Sequence, residues 1–420
     1  CDQQWQTRFI LLRDPMNTKY HTLAHSENSR IVALDYLRVF AVIVLFFFHL
    51  GMIWVPEWHF HFKQETHWFW LQHIMLLSSP WRMGLLWFVA GTSLYVMQQK
   101  YGVYFLITRR SNAILLPLLI GVYGIVPIQL FVEMTQKGAI DTSLGQFFIQ
   151  FYFGANDYFE GFSSGIWHHV DVNHLWFLRS LWRFTLLLVI FNRPLAWIRG
   201  RWGNFNSAWL VLLVSLSLFA SQIEDSDDKR DLYGLACLVW GYLFGSRAQF
   251  WGWLNDKRSA LVVFAIVLTL LYEVGFGIGR YYPDNLLIKD TALWSYYLAK
   301  VISLFAILAL ANMLFVTPHP AVTKANAYIF PFYVIHQSVI IAVGYGITNW
   351  AMPAHKAILV CAILSALICV ALLLLCKYSD VAGALLGKKA KASHWLTGKV
   401  AQIAIALITL PLAFKLIGLI

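Results

Sequence analysis

Runs of about 20 apolar residues recur along the chain, separated by short polar stretches, and each is long enough for a helix to cross the hydrocarbon of a bilayer. The pattern predicts crossings near 31–55, 73–98, 113–134, 174–192, 207–223, 232–253, 259–279, 293–316, 326–350, 356–376 and 399–419. The fold expected is an all-α integral membrane protein, a polytopic bundle of about 10–11 transmembrane helices. Three units follow: a polar, mobile N-terminal arm over 1–28, a transmembrane domain over 29–376, and a basic cytoplasmic linker with one extra helix over 377–420.

The first apolar run, SRIVALDYLRVFAVIVLFFFHLGMIWV, carries Asp35, Arg38 and His49. Ionisable groups at membrane depth are costly and need pairing or a functional interior. Arg38 and His49 are eleven residues apart, which returns a helix to nearly the same azimuth about 16 Å further along. Asp35, three residues before Arg38, shares that face. Two readings stay open at this level. Arg38 snorkels or pairs with Asp35 and His49 is a packing histidine, or the stripe is catalytic.

Composition removes the soluble alternative, since 59% of residues are hydrophobic and only 13% charged. Arg and Lys alternate between loops. The set holding the N-terminal arm, Lys100, Arg109, Arg110, Arg193, Arg199, Arg201, Arg247, Lys257, Arg258, Lys324 and the 377–399 tail has 19, against 7 for the other set. The positive-inside rule then puts the N-terminus in the cytoplasm. The +11 net charge is thus a topology signal and implies no nucleic-acid partner. No cleavable signal peptide precedes the first crossing, which is expected to be a retained anchor. Cys237, Cys361, Cys369 and Cys376 fall in apolar helices and read as core residues.

Candidate chemistry lies at several further points. His59 and His61 in the first outer loop lack a third ligand at metal spacing, and no metal is expected. The second crossing holds Arg82 and then Gly84 to Tyr95, whose small residues suit close helix packing. Arg109 and Arg110 enter the third helix from the cytoplasmic side, where they serve topology or clamp phosphates; Arg82 joins them as a donor-binding candidate. The outer stretch 135–173 interleaves Asp141, Asp157, Glu160 and Asp171 with aromatics, a mixture suited to a sugar and also to a solvated loop. It leads into HLWFLRSLW, with His174, Trp176 and Arg179 at the outer start of a helix. Glu224 to Asp231 reads as a solvated charge run. The ninth segment, NAYIFPFYVIHQSVII, contains Pro331, expected to kink or break the helix, and Tyr333, His336 and Gln337 near membrane depth.

These stretches in order, Arg-x10-His after ALDYLR, LLWFVAG, TRR with LLP, HLWFLRSL and YIFPFYVIHQ, resemble the membrane acyltransferase-3 family, in wording closest to its glucan-biosynthesis protein C branch. The resemblance implies a bacterial inner-membrane enzyme that uses acetyl-CoA or succinyl-CoA as co-substrate and acylates a hydroxyl of an extracytoplasmic glycan or related envelope acceptor. It implies His49 as general base, with Arg38 and Asp35 as its catalytic partners. Arg109, Arg110 and Arg82 would hold the acyl-CoA, and His174, Trp176, Arg179, Tyr333, His336 and Gln337 would line the acceptor site. A homodimer is open. Two rival classes remain at this level. A flippase for a lipid-linked glycan would also need polar stripes and a broken helix, and a haem carrier would pair histidines across helices.

Overall fold

A computed structural model describes residues 32–162, 169–201, 204–223, 225–350 and 352–388, with the side chains of 103–109, 112, 156, 221 and 226 excepted. Among the described residues the chain is helical and holds no strand. In order the helices are α1 (Val32–Gly51), α2 (Phe69–Leu76), α3 (Ser79–Tyr101), α4 (Val103–Ile120), α5 (Pro127–Gln136), α6 (Leu144–Phe153), α7 (Trp176–Ile190) and α8 (Asn192–Arg201). They continue with α9 (Ser207–Ser221), α10 (Ser226–Phe244), α11 (Ala248–Gly279), α12 (Leu286–Leu314), α13 (Pro320–Asn326), α14 (Ile329–Gly346), α15 (Ala354–Tyr378) and α16 (Asp380–Leu385). A single π-helical turn, Gly121–Ile125, joins α4 to α5.

Among the described residues seven segments are long and apolar enough to cross a membrane: α1, α2 with α3, the stretch 113–136, α11, α12, α14 and α15. The α7–α8 pair, bent by 72°, makes an eighth candidate. α9 has only 15 residues, and α10 opens on the charged SDDKRD, so each falls short of a full apolar span by itself. The predicted last crossing, 399–419, lies outside the described residues, as does the N-terminal arm 1–28.

Two sequence expectations are corrected. The predicted span 232–253 straddles the turn at Gly245–Arg247, because α11 starts at Ala248 and carries Asn255 to Arg258 inside its first three turns. Pro331 does not break α14. It sits in the first turn, where no intrahelical donor is needed, and the break falls earlier, at Ala327–Tyr328.

Close packing sets the bundle's centre. A methyl on Gly91 of α3 would come within 1.9 Å of the Leu238 carbonyl oxygen on α10, and one on Gly241 within 2.0 Å of the Phe88 oxygen on α3. The two glycines therefore let α3 and α10 touch backbone to backbone, and Thr92 Oγ1 donates across to Gly241 O at 3.1 Å. The small-residue stretch Gly84 to Tyr95 thus does the packing its composition suggests. α14 runs buried through the interior against α1, α5 and α15, whereas α11 shows an exposed apolar face including Ile266, Leu270, Val274 and Ile278. The start of the basic tail is folded, since α16 packs on α4 and Lys388 Nζ donates to Cys376 O at 2.7 Å.

Candidate active site

α1 is one unbroken helix, so Arg38 and His49 stand on one face about 16 Å apart. At the Arg38 end, Nη1 donates to Asp35 Oδ1 at 2.8 Å and Nη2 to Ser93 Oγ on α3. Asn326 of α13 donates to the Asp35 carbonyl at 3.1 Å, tying that short helix to the stripe. Arg110 of α4 lies close enough to Arg38 for the two cations to repel, and its Nε and Nη2 are shielded from solvent without a hydrogen-bond partner. The Arg110 guanidinium, with two donors to spare beside Arg38, is what a phosphate or carboxylate would satisfy. Arg109 is on the same helix, but its side chain lies outside the described residues.

At the other end the histidines are joined. His336 Nδ1 is 2.7 Å from the Tyr333 carbonyl oxygen, and His49 Nδ1 is 2.9 Å from His336 Nε2. A carbonyl only accepts, so the neutral His336 donates from Nδ1 and accepts at Nε2. His49 must then donate from Nδ1, which leaves its Nε2 as a bare lone pair. The backbone of α14 therefore dictates the tautomer of a histidine on α1.

A second layer holds this pair. Fully buried Gln129 of α5 donates from Nε2 to His174 Nδ1 at 3.0 Å and to Ser338 Oγ at 2.7 Å. Its Oε1 accepts from Asn173 Nδ2 at 3.3 Å and from Gln337 Nε2 at 3.2 Å. His174 Nε2 in turn donates to Val334 O at 3.0 Å, and the Tyr333 hydroxyl donates to the His174 carbonyl. Every polar atom of Gln129 is used, as a buried amide requires. Asn173 adopts φ 41°, a left-handed conformation that asparagine tolerates.

Beyond the histidines a cavity of about 240 Å³ is lined by His59, His61, Glu133, Asp171, Asn173 and aromatic residues including Phe151 and Phe162. Its wall is strapped down: His61 Nδ1 pairs with Glu133 Oε2 at 2.6 Å, and Gln136 Nε2 donates to Lys63 O at 2.6 Å. Lys63 Nζ caps the end of α1 through Met52 O at 2.8 Å and Val55 O at 2.5 Å, and burial pushes this amine down to about 8. Among the described residues no three of His, Cys, Asp or Glu converge as metal ligands.

The structure thus brings His49, His174, Tyr333, His336 and Gln337 into one network, with Asp35, Arg38 and Arg110 at the opposite end of α1. It places Arg82 apart from Arg110: the Arg82 guanidinium stacks 3.6 Å over Phe48, beside His49, and bonds Ser78 Oγ at 2.8 Å. Trp176 and Arg179 form a separate patch with α10, where Arg230 covers the Trp176 ring at 3.7 Å and Arg179 faces Asp227 at 3.6 Å. Asp231 takes Ser180 Oγ at 2.7 Å and faces Arg183 at 3.6 Å, so part of the run read as a solvated charge cluster is structural. Gln129, Ser338 and Glu133 escaped sequence reasoning. Gln129 and Glu133 carried a signal, as a glutamine and an acid within the apolar run 113–134.

A family model described as an acyltransferase domain, the acyltransferase-3 model, matches residues 31–376. The chain belongs to this acyltransferase family. The match spans α1 to most of α15 and thereby takes in both ends of the α1 stripe and the whole histidine network. Comparison with curated proteins and with solved structures returned no match. With seven segments among the described residues long and apolar enough to span, the protein is a membrane acyltransferase.

Proposed function

We propose that the protein transfers an acyl group from acyl-CoA in the cytoplasm to a hydroxyl on an acceptor at the outer side, with His49 as general base. The observation that carries this reading is the Tyr333–His336–His49 chain, which leaves His49 Nε2 as the unprotonated nitrogen. The acceptor hydroxyl gives its proton to Nε2 as its oxygen attacks the thioester carbonyl carbon. The carbon–sulfur bond then breaks, and the proton passes from Nε2 to the departing CoA sulfur. General-base assistance of this kind contributes on the order of 10² to 10⁴-fold.

Arg110 and Arg38, with Arg109, would hold the phosphates of the donor at the other end of α1. Arg82, close to His49, is better situated to face the negative charge that develops on the attacked carbonyl oxygen than the nucleotide phosphates. The cavity's carboxylates, histidines and ring faces match a polyhydroxylated acceptor, for which an envelope glycan is the proposed class and a periplasmic glucan the narrower one. Acetyl and succinyl are the proposed acyl groups.

Incubation of purified protein with acetyl-CoA or succinyl-CoA, followed by thiol release, tests the donor. Mass spectrometry of envelope glycans from cells with and without the protein tests the acceptor. CoA release with a matching mass increment of 42 or 100 Da on a glycan is the expected result, from the mass of the acyl groups. Unchanged glycans together with no CoA release would remove the reading.

A further inference from the structure

A second cavity, of about 390 Å³, opens between the outermost turns of α11 and α12 on the His49 side of the bundle. Tyr272, Phe276 and Tyr296 form its walls, and Arg280 and Lys289 stand at its mouth with Glu57. Its back is narrow because a methyl on Gly275 would come within 2.8 Å of Ala292 Cβ. The Arg280 guanidinium is sandwiched by aromatic rings, 4.7 Å from the Phe69 centroid and 5.0 Å from that of Phe276. Its Nε side meets Glu57 Oε1 at 2.8 Å, while Nη2 is buried without a hydrogen-bond partner. Glu57 is already shared, since Gln72 Nε2 donates to its other oxygen at 2.7 Å. Lys289 is exposed. Arg280 and Lys289 stand here with Glu57, Glu273 on α11 lies in the field of Arg280 as well, and one guanidinium nitrogen is still left wanting an acceptor.

Below the mouth the surroundings are apolar. Leu271, Val274 and Ile278 of α11 and Leu286, Leu287 and Trp294 of α12 are exposed around it, at the end of spans apolar enough for a bilayer. A free inorganic anion would gain nothing from such walls. An amphiphile with an anionic phosphate head and hydrocarbon chains would gain from both parts. We propose that this groove binds an anionic phospholipid, with its phosphate on Arg280 Nη2 and Lys289 and one chain along Tyr272, Phe276 and the exposed face of α11. The site is distinct from the histidine network but stands next to it. Tyr296, in its wall, is hydrogen-bonded to Ser79 at the start of α3 and lies in the electrostatic field of Arg82, which stacks beside His49. A bound lipid would therefore brace the turn that carries Arg82.

Native mass spectrometry of the full-length protein, delipidated in detergent and then given phosphatidylglycerol or phosphatidylcholine of identical chains, tests the proposal. Phosphatidylglycerol is expected to be retained preferentially. Each basic residue near a lipid surface is worth about 1 kcal/mol, so Lys289→Gln should lower retention about fivefold and Arg280→Gln at least as much. Lys289 is exposed, so its variant tests the site even where Arg280→Gln proves unstable. Equal retention of the two lipids, retention unchanged in Lys289→Gln, or complete displacement of phosphatidylglycerol by millimolar inorganic phosphate would each overturn it.

Discussion

His49 Nδ1 and His336 Nε2 are 2.9 Å apart although 287 residues separate them in the chain. The contact matters because His336 is itself anchored to the Tyr333 carbonyl, so the proton on His49 is confined to Nδ1. His336 is accordingly a positioning residue. His336→Ala should lower kcat about tenfold or more with little change in the KM for acyl-CoA. His336→Gln, whose amide oxygen can accept from Nδ1, should recover part of the loss. Steady-state kinetics on the three proteins separate this from a packing role, in which the glutamine variant would do no better than alanine.

Gln129 satisfies four groups, two in the turn at 173–174 and two on α14, so its removal exposes the worth of the network. Gln129→Leu leaves His174 Nδ1 and the Gln337 amide without partners in a buried site, at about 1–3 kcal/mol each. Thermal unfolding in detergent should show a clear drop in midpoint. The double variant Gln129→Leu, Gln337→Leu should lose less than the sum of the two single variants. Strict additivity would mean that the two amides act independently.

The α3–α10 seam should be intolerant of a single methyl. Gly91→Ala and Gly241→Ala each place a carbon about 2 Å from a carbonyl oxygen, and overpacking of this kind costs typically 1–3 kcal/mol or more. Gly145, on α6, has open space around it. Gly145→Ala is therefore the control, expected to match the parent in folded yield by size-exclusion fluorescence.

How much of this was legible in the sequence depended on distance along the chain. The α1 stripe was readable because 100° per residue is a local rule, and Asp35, Arg38 and His49 all fall within twenty residues. The packing role of Gly84 to Tyr95 was readable in kind, but its partner, Gly241, was not. The His49–His336 bond was invisible, since no period links helices so far apart. Pro331 misled because proline marks the first turn of a helix as well as an internal kink, and the sequence alone does not separate the two. The predicted span 232–253 failed at the turn Gly245–Arg247, where the apolar pattern runs on through aromatic residues of α11. Arg82 was grouped with Arg109 and Arg110 by residue type, while the fold puts it beside Phe48.

Sidedness is a separate prediction from the charge bias of the loops. Thr317, between α12 and α13, and Asp284, between α11 and α12, are both exposed and lie at opposite ends of α12. In a cysteine-free background, an impermeant maleimide applied to intact spheroplasts should label Asp284→Cys and spare Thr317→Cys. Labelling of Thr317→Cys alone would place the N-terminus outside and reverse the proposed entry sides of donor and acceptor.

The central claim is that His49 takes the acceptor proton while Arg110 serves donor binding, and one comparison tests it. Acyl transfer from radiolabelled acyl-CoA would be measured for the parent, His49→Ala and Arg110→Gln, with donor affinity measured by calorimetry on the same preparations. The account predicts that His49→Ala binds acyl-CoA normally and loses at least about a hundredfold in transfer, whereas Arg110→Gln loses affinity and is largely rescued by excess donor. Transfer by His49→Ala within a few-fold of the parent would contradict it.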